Sequence, residues 1–426
     1  MRIRGLRWWM IGLIMVGSCI NFLTRSTLGV AAPTMLHDLH MTAQQYSYVL
    51  SGFQLSLMVQ PLAGFIMDVI GLKLGFALFA VLWSLLTMSH GLVGSWQGLF
   101  AVRTLLGLPE GAANPAGVKA TAEWFPARER GLAGGVYNIG ASFGAMVAPP
   151  LVIWAILFYN WEFAFVVTGA IGLVWAGLYL AFYNSPEKHK WLSPEEKKYI
   201  LDGQEKYVQA EHKAPSIPQI LRNRNFWGIA FPRFLADPTW STLSFWVPLY
   251  LITVRHMDLK QIALFAWMPF LAADAGCIFG GMLAGWLLKH TAISTVNARR
   301  CVFTVGATLM LGMPFVGYVD NPYTAIALLC LGGFAHQTLS VTVITMASDL
   351  FRRNEVATAA GCAGTLSGVG NLIFQLAIGS LVASIGYAPF FVMLAVFDLI
   401  GAIVLWTVVK DPAGRQGVAV LEPRPV

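Results

Sequence analysis

Apolar residues run along the chain in blocks of about 20 or more, the length of a helix that crosses a bilayer, with short polar interruptions between them. Twelve such blocks are legible: 8–31, 45–68, 74–94, 97–121, 131–156, 161–183, 225–252, 260–287, 300–318, 322–348, 355–384 and 387–409. The 42 glycines and 21 prolines would break soluble helices, but packed membrane helices tolerate them. From Gly131 to Gly144 small residues recur three or four apart, a spacing that lets helices approach closely. One interruption is long. Residues 184–224 are hydrophilic and include the amphipathic stretch SPEEKKYILDGQEKYV. The pattern predicts an all-α membrane protein of twelve transmembrane helices in two six-helix bundles. Residues 1–183 form the first bundle, 184–224 the linker, and 225–426 the second bundle with a short tail.

Composition agrees with this division. Hydrophobic residues make up 57% of the 426 and charged residues 12%, about half the share of a soluble domain. The first apolar block lacks a small-residue cleavage site and is long enough to span, so it does not read as a removed signal peptide. Cys19, Cys277, Cys301, Cys330 and Cys362 each sit in an apolar stretch with no metal spacing, and read as small core residues.

The formal net charge of +7 raises the question of an acidic partner, and its distribution answers it. Of 28 Lys and Arg, 23 fall at the termini, in the linker or in loops after even-numbered blocks; only Arg255 and Lys260 fall in an odd-numbered loop. The excess is therefore a topology signal, not a nucleic-acid footprint. By the positive-inside rule both termini and the linker face the cytoplasm, and a bacterial inner membrane is the expected location. The remaining three, Arg25, Arg103 and Arg233, lie inside apolar blocks.

An internal repeat supports two related halves. A shift of 226 residues lays Gly107 on Gly333, Phe125 on Phe351, Glu129 on Glu355 and Gly135 on Gly361; a shift of 217 lays Gly64 on Gly281. Halves related in this way suit a carrier whose site lies near mid-membrane between them and is exposed to each side in turn.

A charge at mid-bilayer costs at least about 2.5–3.5 kcal/mol, so it should face a cavity or a partner. Glu110 lies near the middle of the fourth block, desolvated, where it can take up and release a proton; a permanent pair with an arginine is the alternative. Arg103 precedes it by seven residues on the same helix face and is expected to pair with it or tune it. Arg25 has no acid within a turn, and its fork suits a bidentate carboxylate, so an anchor for an anionic substrate is expected over a structural pair. The 226-residue shift sets Glu110 on His336, whose neighbour is Gln337. Gln54, Asn138, Ser142, Asn371 and Gln375 are further mid-span polar groups, able either to bind hydroxyls or to join helices. Arg233 and Asp237, four apart, are expected to pair. Asp274 has no basic neighbour in sequence and reads as a gate or a second proton group. No nucleophile–base set, phosphate loop or metal cluster is present, so neither an enzyme nor a cofactor is expected.

The loop after the second block, Gly64-Phe-Ile-Met-Asp68-Val-Ile-Gly71-Leu-Lys73, resembles the gating motif of the major facilitator superfamily, with Val69 where that motif has Arg. Arg103, Gly107 and Gly111 match the spaced pattern of its proton-coupled members. Along nearly the whole chain, segments such as GLRWWMIGL, LTRSTLGVAAPT, QQYSYVL, EWFPARERGLA, NRNFWGIAFPRFLADPTW, FAWMPFLAADAGC, GGFAHQTLS and FRRNEVATAAG resemble the anion:cation symporter family, and within it bacterial hexuronate transporters. The resemblance implies the major facilitator fold and symport of glucuronate or galacturonate with protons. It further implies that Arg25 holds the carboxylate, that Glu110 carries the proton, that Asn371 meets sugar hydroxyls, and that Asp68, Lys73, Arg233 and Asp237 act in gating. Thr24 stands where many relatives carry Asp, which implies fewer protons per anion, and Phe22 stands where related aldonate carriers use a tyrosine. A monomer is expected. An aldonate, aldarate or aromatic-acid symporter is the alternative carrier, and a sugar-acid sensor that does not transport is the alternative class.

Overall fold

The computed structural model describes residues 3–126, 129–202, 217–351 and 356–411. Twelve helical spans follow the predicted order. Spans 1 (Leu6–Asp38), 5 (Arg130–Phe158), 6 (Trp161–Phe182), 10 (Pro322–Leu350), 11 (Val356–Ile385) and 12 (Ala388–Val408) are continuous, and span 3 (Leu72–Ser89) ends in a short 3-10 turn, His90–Leu92. Span 1 runs seven residues past its expected end at 31, because Ala32 and Met35 are still buried. The linker contributes two short helices, Pro194–Asp202 and Ile217–Arg222. Several predicted markers lie outside the described residues: Arg2, Arg128, Arg352, Arg353, Glu355, Arg415, Arg424 and the linker stretch beyond 202.

The other spans are interrupted, and proline sets the place. A proline removes one backbone donor, and its ring collides with the carbonyl four residues earlier. Span 2 (Ala43–Leu57, then Gln60–Ile70) breaks just after Leu57, four residues before Pro61. Span 4 (Trp96–Glu110, then Ala113–Trp124) breaks at Gly111, four before Pro115. Span 8 (Leu259–Phe265, then Met268–His290) breaks after Phe265, four before Pro269. Span 9 (Thr295–Leu309) tightens into a 3-10 turn from Met310, four before Pro314. Span 7 (Arg224–Ala236, Pro238–Ser241 and Val247–Thr253) contains a π-turn at Thr242–Trp246, centred four before Pro248.

Among the described residues ten spans are long and apolar enough to cross a membrane by composition alone. The two that fall short, spans 4 and 7, carry Arg103 with Glu110 and Arg233 with Asp237. The chain is thus a multi-pass membrane protein, and each of its two least apolar spans carries an arginine and an acid.

Equivalent glycines do equivalent work in the two halves. A Cβ on Gly107 would strike the Phe53 carbonyl of span 2, and one on Gly333 would strike the Pro269 carbonyl of span 8. Span 4 therefore sits on span 2 as span 10 sits on span 8, which gives the sequence repeat a structural meaning. Gly140 and Gly144 of span 5 lie directly on the backbone of span 1 at Met15 and Cys19, as the small-residue spacing predicts.

The halves meet through spans 1 and 7, 2 and 11, and 5 and 8. Gly29 packs on the Ser244 carbonyl, Gly379 packs on Ser47, and the Tyr46 hydroxyl donates to the Phe245 carbonyl at 3.1 Å. These contacts belong to the ends of the spans remote from the N-terminus.

Close glycine packing yields a direct test. Gly144→Val is expected to cost about 1–3 kcal/mol through overpacking, lowering thermal stability in detergent. Gly12→Ala, where a Cβ would meet nothing within 4 Å, should leave stability unchanged or slightly raised.

Candidate substrate-binding site

The site is built where span 4 breaks against span 1. Just before the break, the Glu110 carbonyl accepts from Asn21 Nδ2 at 3.2 Å, which ties the two spans together at this level. One turn of span 1 then presents Asn21, Thr24 and Arg25 to the Glu110 side chain. Arg25 Nε lies 3.3 Å from Glu110 Oε2, and the Thr24 hydroxyl lies 3.0 Å from Oε1. Arg25 Nη2 also reaches Asn21 Oδ1 at 3.4 Å. The carboxylate thus has one charged and one neutral donor. Its side chain is 0% exposed, whereas that of Arg25 is 19% exposed. A ligand can reach the guanidinium, and the acid lies behind it.

Aromatic rings hold the cations from the other side. The Arg25 guanidinium sits 4.6 Å from the Phe22 ring centre and 5.5 Å from that of Phe53; Arg103 lies 4.4 Å from the same Phe53 ring. Such stacking suits a delocalised guanidinium. Arg103 is fully buried, and its Nη2 donates to the Arg25 carbonyl at 2.9 Å.

Of the two roles expected for Arg103, pairing with Glu110 is not seen: seven residues rise about 10.5 Å along a helix, and the side chain turns to span 1, holding the backbone of Arg25. Its charge still acts on the Glu110 carboxyl, as the second role requires. Arg25, expected to await substrate without a protein partner, is paired with Glu110. Its acid comes from another helix, 85 residues away, where a search along one helix does not look.

The second half shows a related pairing. His336 of span 10 is buried, with its ring 6.3 Å from that of Trp240 in span 7 and Nδ1 without a hydrogen-bond partner among the described residues. Spans 10 and 7 thus meet through His336 as spans 4 and 1 meet through Glu110. Gln337 is half-buried beside it. In span 11, Asn371 Oδ1 and Gln375 Oε1 are buried acceptors with no donor among the described residues. Gln54 of span 2 lies against Gly368 of span 11, and Ser142 of span 5 faces Asp274 of span 8, both across the boundary between halves. The Asn138 side chain lies outside the described residues.

The expected gating residues pair within their own halves or, for Lys73, with the start of the linker. Arg233 Nε lies 3.3 Å from Asp237 Oδ2, as predicted, and the Ser367 hydroxyl of span 11 donates to the same oxygen. Asp68 pairs with Lys119 at 2.5 Å, and Lys73 donates to Asn184 Oδ1 at 3.0 Å. Among the described residues no cluster of three or more His, Cys, Asp or Glu could hold a metal ion. Asn21, Thr24, Phe53 and Trp240 had not been singled out as site residues by the sequence; apart from the Asp-to-Thr difference at 24, each is a common residue in an apolar stretch and carries no signal of its own.

The sequence pattern of the Major Facilitator Superfamily matches residues 14–296 and 292–424, most of the chain. The chain belongs to that superfamily. This facilitator is a transporter, not an enzyme. It is 48% identical over 412 residues to the hexuronate transporter of Escherichia coli K12, covering 96% of this chain and 95% of that one. It is also 48% identical over 328 residues to the galacturonate transporter of Dickeya chrysanthemi, covering 76% and 95% of the two chains. Its fold matches a crystal structure of a bacterial homologue of the human lysosomal transporter Spinster, inward-facing and unoccupied. The TM-score is 0.79 at 16% identity, over 96% of this facilitator and 100% of the other chain.

The Arg103 geometry sets an expected outcome. Arg103→Lys keeps the charge but loses the fork on Phe53 and the Arg25 carbonyl. A hydrogen bond from a charged donor is worth about 1.5–3 kcal/mol, so affinity for galacturonate should fall about tenfold or more. Wild-type affinity by calorimetry in this variant would separate Arg103 from the site.

Proposed function

We propose that this protein imports a hexuronate, glucuronate or galacturonate, together with protons. The carrying observation is the pair of a partly exposed Arg25 and a sealed Glu110, 3.3 Å apart. One guanidinium cannot serve two carboxylates fully. While Glu110 is ionised it occupies Arg25; once protonated, it releases the fork to the carboxylate of the substrate. Substrate and proton therefore bind in concert, and coupling follows from competition for a single cation. The names carried by the relatives in Escherichia coli and Dickeya chrysanthemi support the choice of sugar acid.

In this reading Arg25 anchors the carboxylate, Glu110 carries the proton, and Arg103 holds the Arg25 backbone in place. Hydroxyls of the sugar meet Gln54, Asn138, Ser142, His336, Gln337, Asn371 and Gln375. The buried acceptors of Asn371 and Gln375 support the assignment, since a sugar hydroxyl supplies the donor that each lacks. Two units, 1–183 and 225–426, rock about the site, joined by 184–224, in a bacterial inner membrane. The Lys and Arg distribution supports cytoplasmic termini. With that orientation, the contacts at Gly29, Tyr46 and Gly379 close the outer side, and the carrier rests facing inward. Asp68, Lys73, Arg233 and Asp237 change partners when the inner side closes. The carrier works as a monomer.

Energetics make the proton useful. A monovalent anion entering against an inside-negative potential loses about 2.3 kcal/mol per 100 mV. One proton cancels that charge, and two let the potential assist.

In proteoliposomes, uptake should rise as the outside pH falls. Glu110→Gln should lower pH-driven accumulation by the proton that accompanies the sugar acid while retaining substrate exchange; undiminished accumulation removes Glu110 from coupling. Arg25→Ala should lose sugar-acid binding altogether. Competition by unlabelled glucuronate and galacturonate, set against aldonate, aldarate and aromatic acids, identifies the substrate class, and preference for any of the last three overturns the hexuronate assignment.

A further inference from the structure

A second buried acid lies outside the site just described. Asp398 sits midway along span 12, is 0% exposed, and has no hydrogen-bond donor on either carboxylate oxygen among the described residues. Span 12 packs on spans 7, 9 and 11. Span 11 has no charged residue. Span 9 has Arg299 and Arg300 at its first turns, and both are engaged elsewhere, with Asp349 at 3.3 Å and with the Val409 carbonyl. Span 7 brings Arg224, which donates to the Thr407 carbonyl, and the neighbours Arg233 and Asp237. Asp237 itself holds Arg233 at 3.3 Å and accepts from Ser367.

Asp398 therefore has no counter-charge of its own among the described residues, because Arg233, Arg299 and Arg300 are each engaged elsewhere. An uncompensated charge at mid-membrane costs at least about 2.5–3.5 kcal/mol, and Asp237 already has Arg233. We propose that Asp398 is a second proton carrier of the transport cycle, remote from the sugar acid and borne on a helix that packs against the broken span 7. This rests on the proton-coupled reading above. In the present conformation Asp398 holds a proton, because its buried carboxyl meets no donor among the described residues. Asp237 lies at the break between Ala236 and Pro238 in span 7, where bending during rocking moves Arg233 relative to both acids. When that movement brings Arg233 or water to Asp398, its O–H bond breaks. The proton leaves to water on the side then open, and the carboxylate is stabilised by what has arrived. The return movement reloads it from the opposite side.

The readout is the number of protons moved per anion, taken from reversal potentials in proteoliposomes. This ratio does not depend on how much carrier is folded, so a merely structural role would not alter it. Asp398→Asn should lower the ratio by one. Should that variant fail to assemble, Asp398→Ser serves instead and should also lower the ratio by one. A wild-type ratio in either variant overturns the proposal. A ratio of zero in the unmodified protein overturns the proton-coupled reading itself, whereas a lowered ratio in Glu110→Gln with an unchanged ratio in Asp398→Asn overturns only the role of Asp398.

Discussion

A guanidinium and a carboxylate held 3.3 Å apart, where span 4 breaks against span 1, organise the site. At the effective dielectric of a partly wet protein, charges 4 Å apart attract by about 4 kcal/mol, and stranding one member of a buried pair costs about 3–5 kcal/mol. These magnitudes decide the chemistry. Glu110 does not surrender Arg25 unless something else cancels its own charge, and a proton does this at no steric cost. The surrounding contacts serve that exchange: Thr24 donates to the acid, Arg103 fastens the backbone of Arg25, and Phe22 and Phe53 keep the fork from swinging away.

Proline places this pair. Pro115 interrupts span 4 just beyond Glu110, beside the point where Asn21 of span 1 takes the Glu110 carbonyl. In the second half Pro238 and Pro248 interrupt span 7 around Asp237 and Trp240, beside His336. Helix breaks are tolerated in lipid only where neighbours satisfy the freed backbone or a cavity is lined. Breaks, ionisable groups and helix crossings therefore fall together, and the glycines at 107 and 333 let the flanking helices close in.

The fold was largely legible because lipid imposes one rule, about 20 apolar residues per crossing, and the chain obeys it repeatedly. Individual charges were equally legible, since Arg25, Glu110 and Arg233 stand out in apolar surroundings. Their partnerships were legible only at helical spacing: Arg233 and Asp237, four apart, were paired correctly, while the Arg25–Glu110 contact joins different helices and was not. Sharing a helix face left Arg103 either to pair with Glu110 or to tune it, and only the structure decides between them, because a long side chain can turn to a neighbouring helix. Asp398 was overlooked in a span otherwise strongly apolar, and the proline breaks were visible as residues but not as positions of the site.

The central claim is that protonation of Glu110 decides whether Arg25 is free, and the affinity of purified carrier for galacturonate as a function of pH tests it most directly. The account predicts that wild-type affinity weakens as pH rises and Glu110 ionises, while Glu110→Gln binds with an affinity that no longer follows pH. The same pH dependence in both proteins would contradict it.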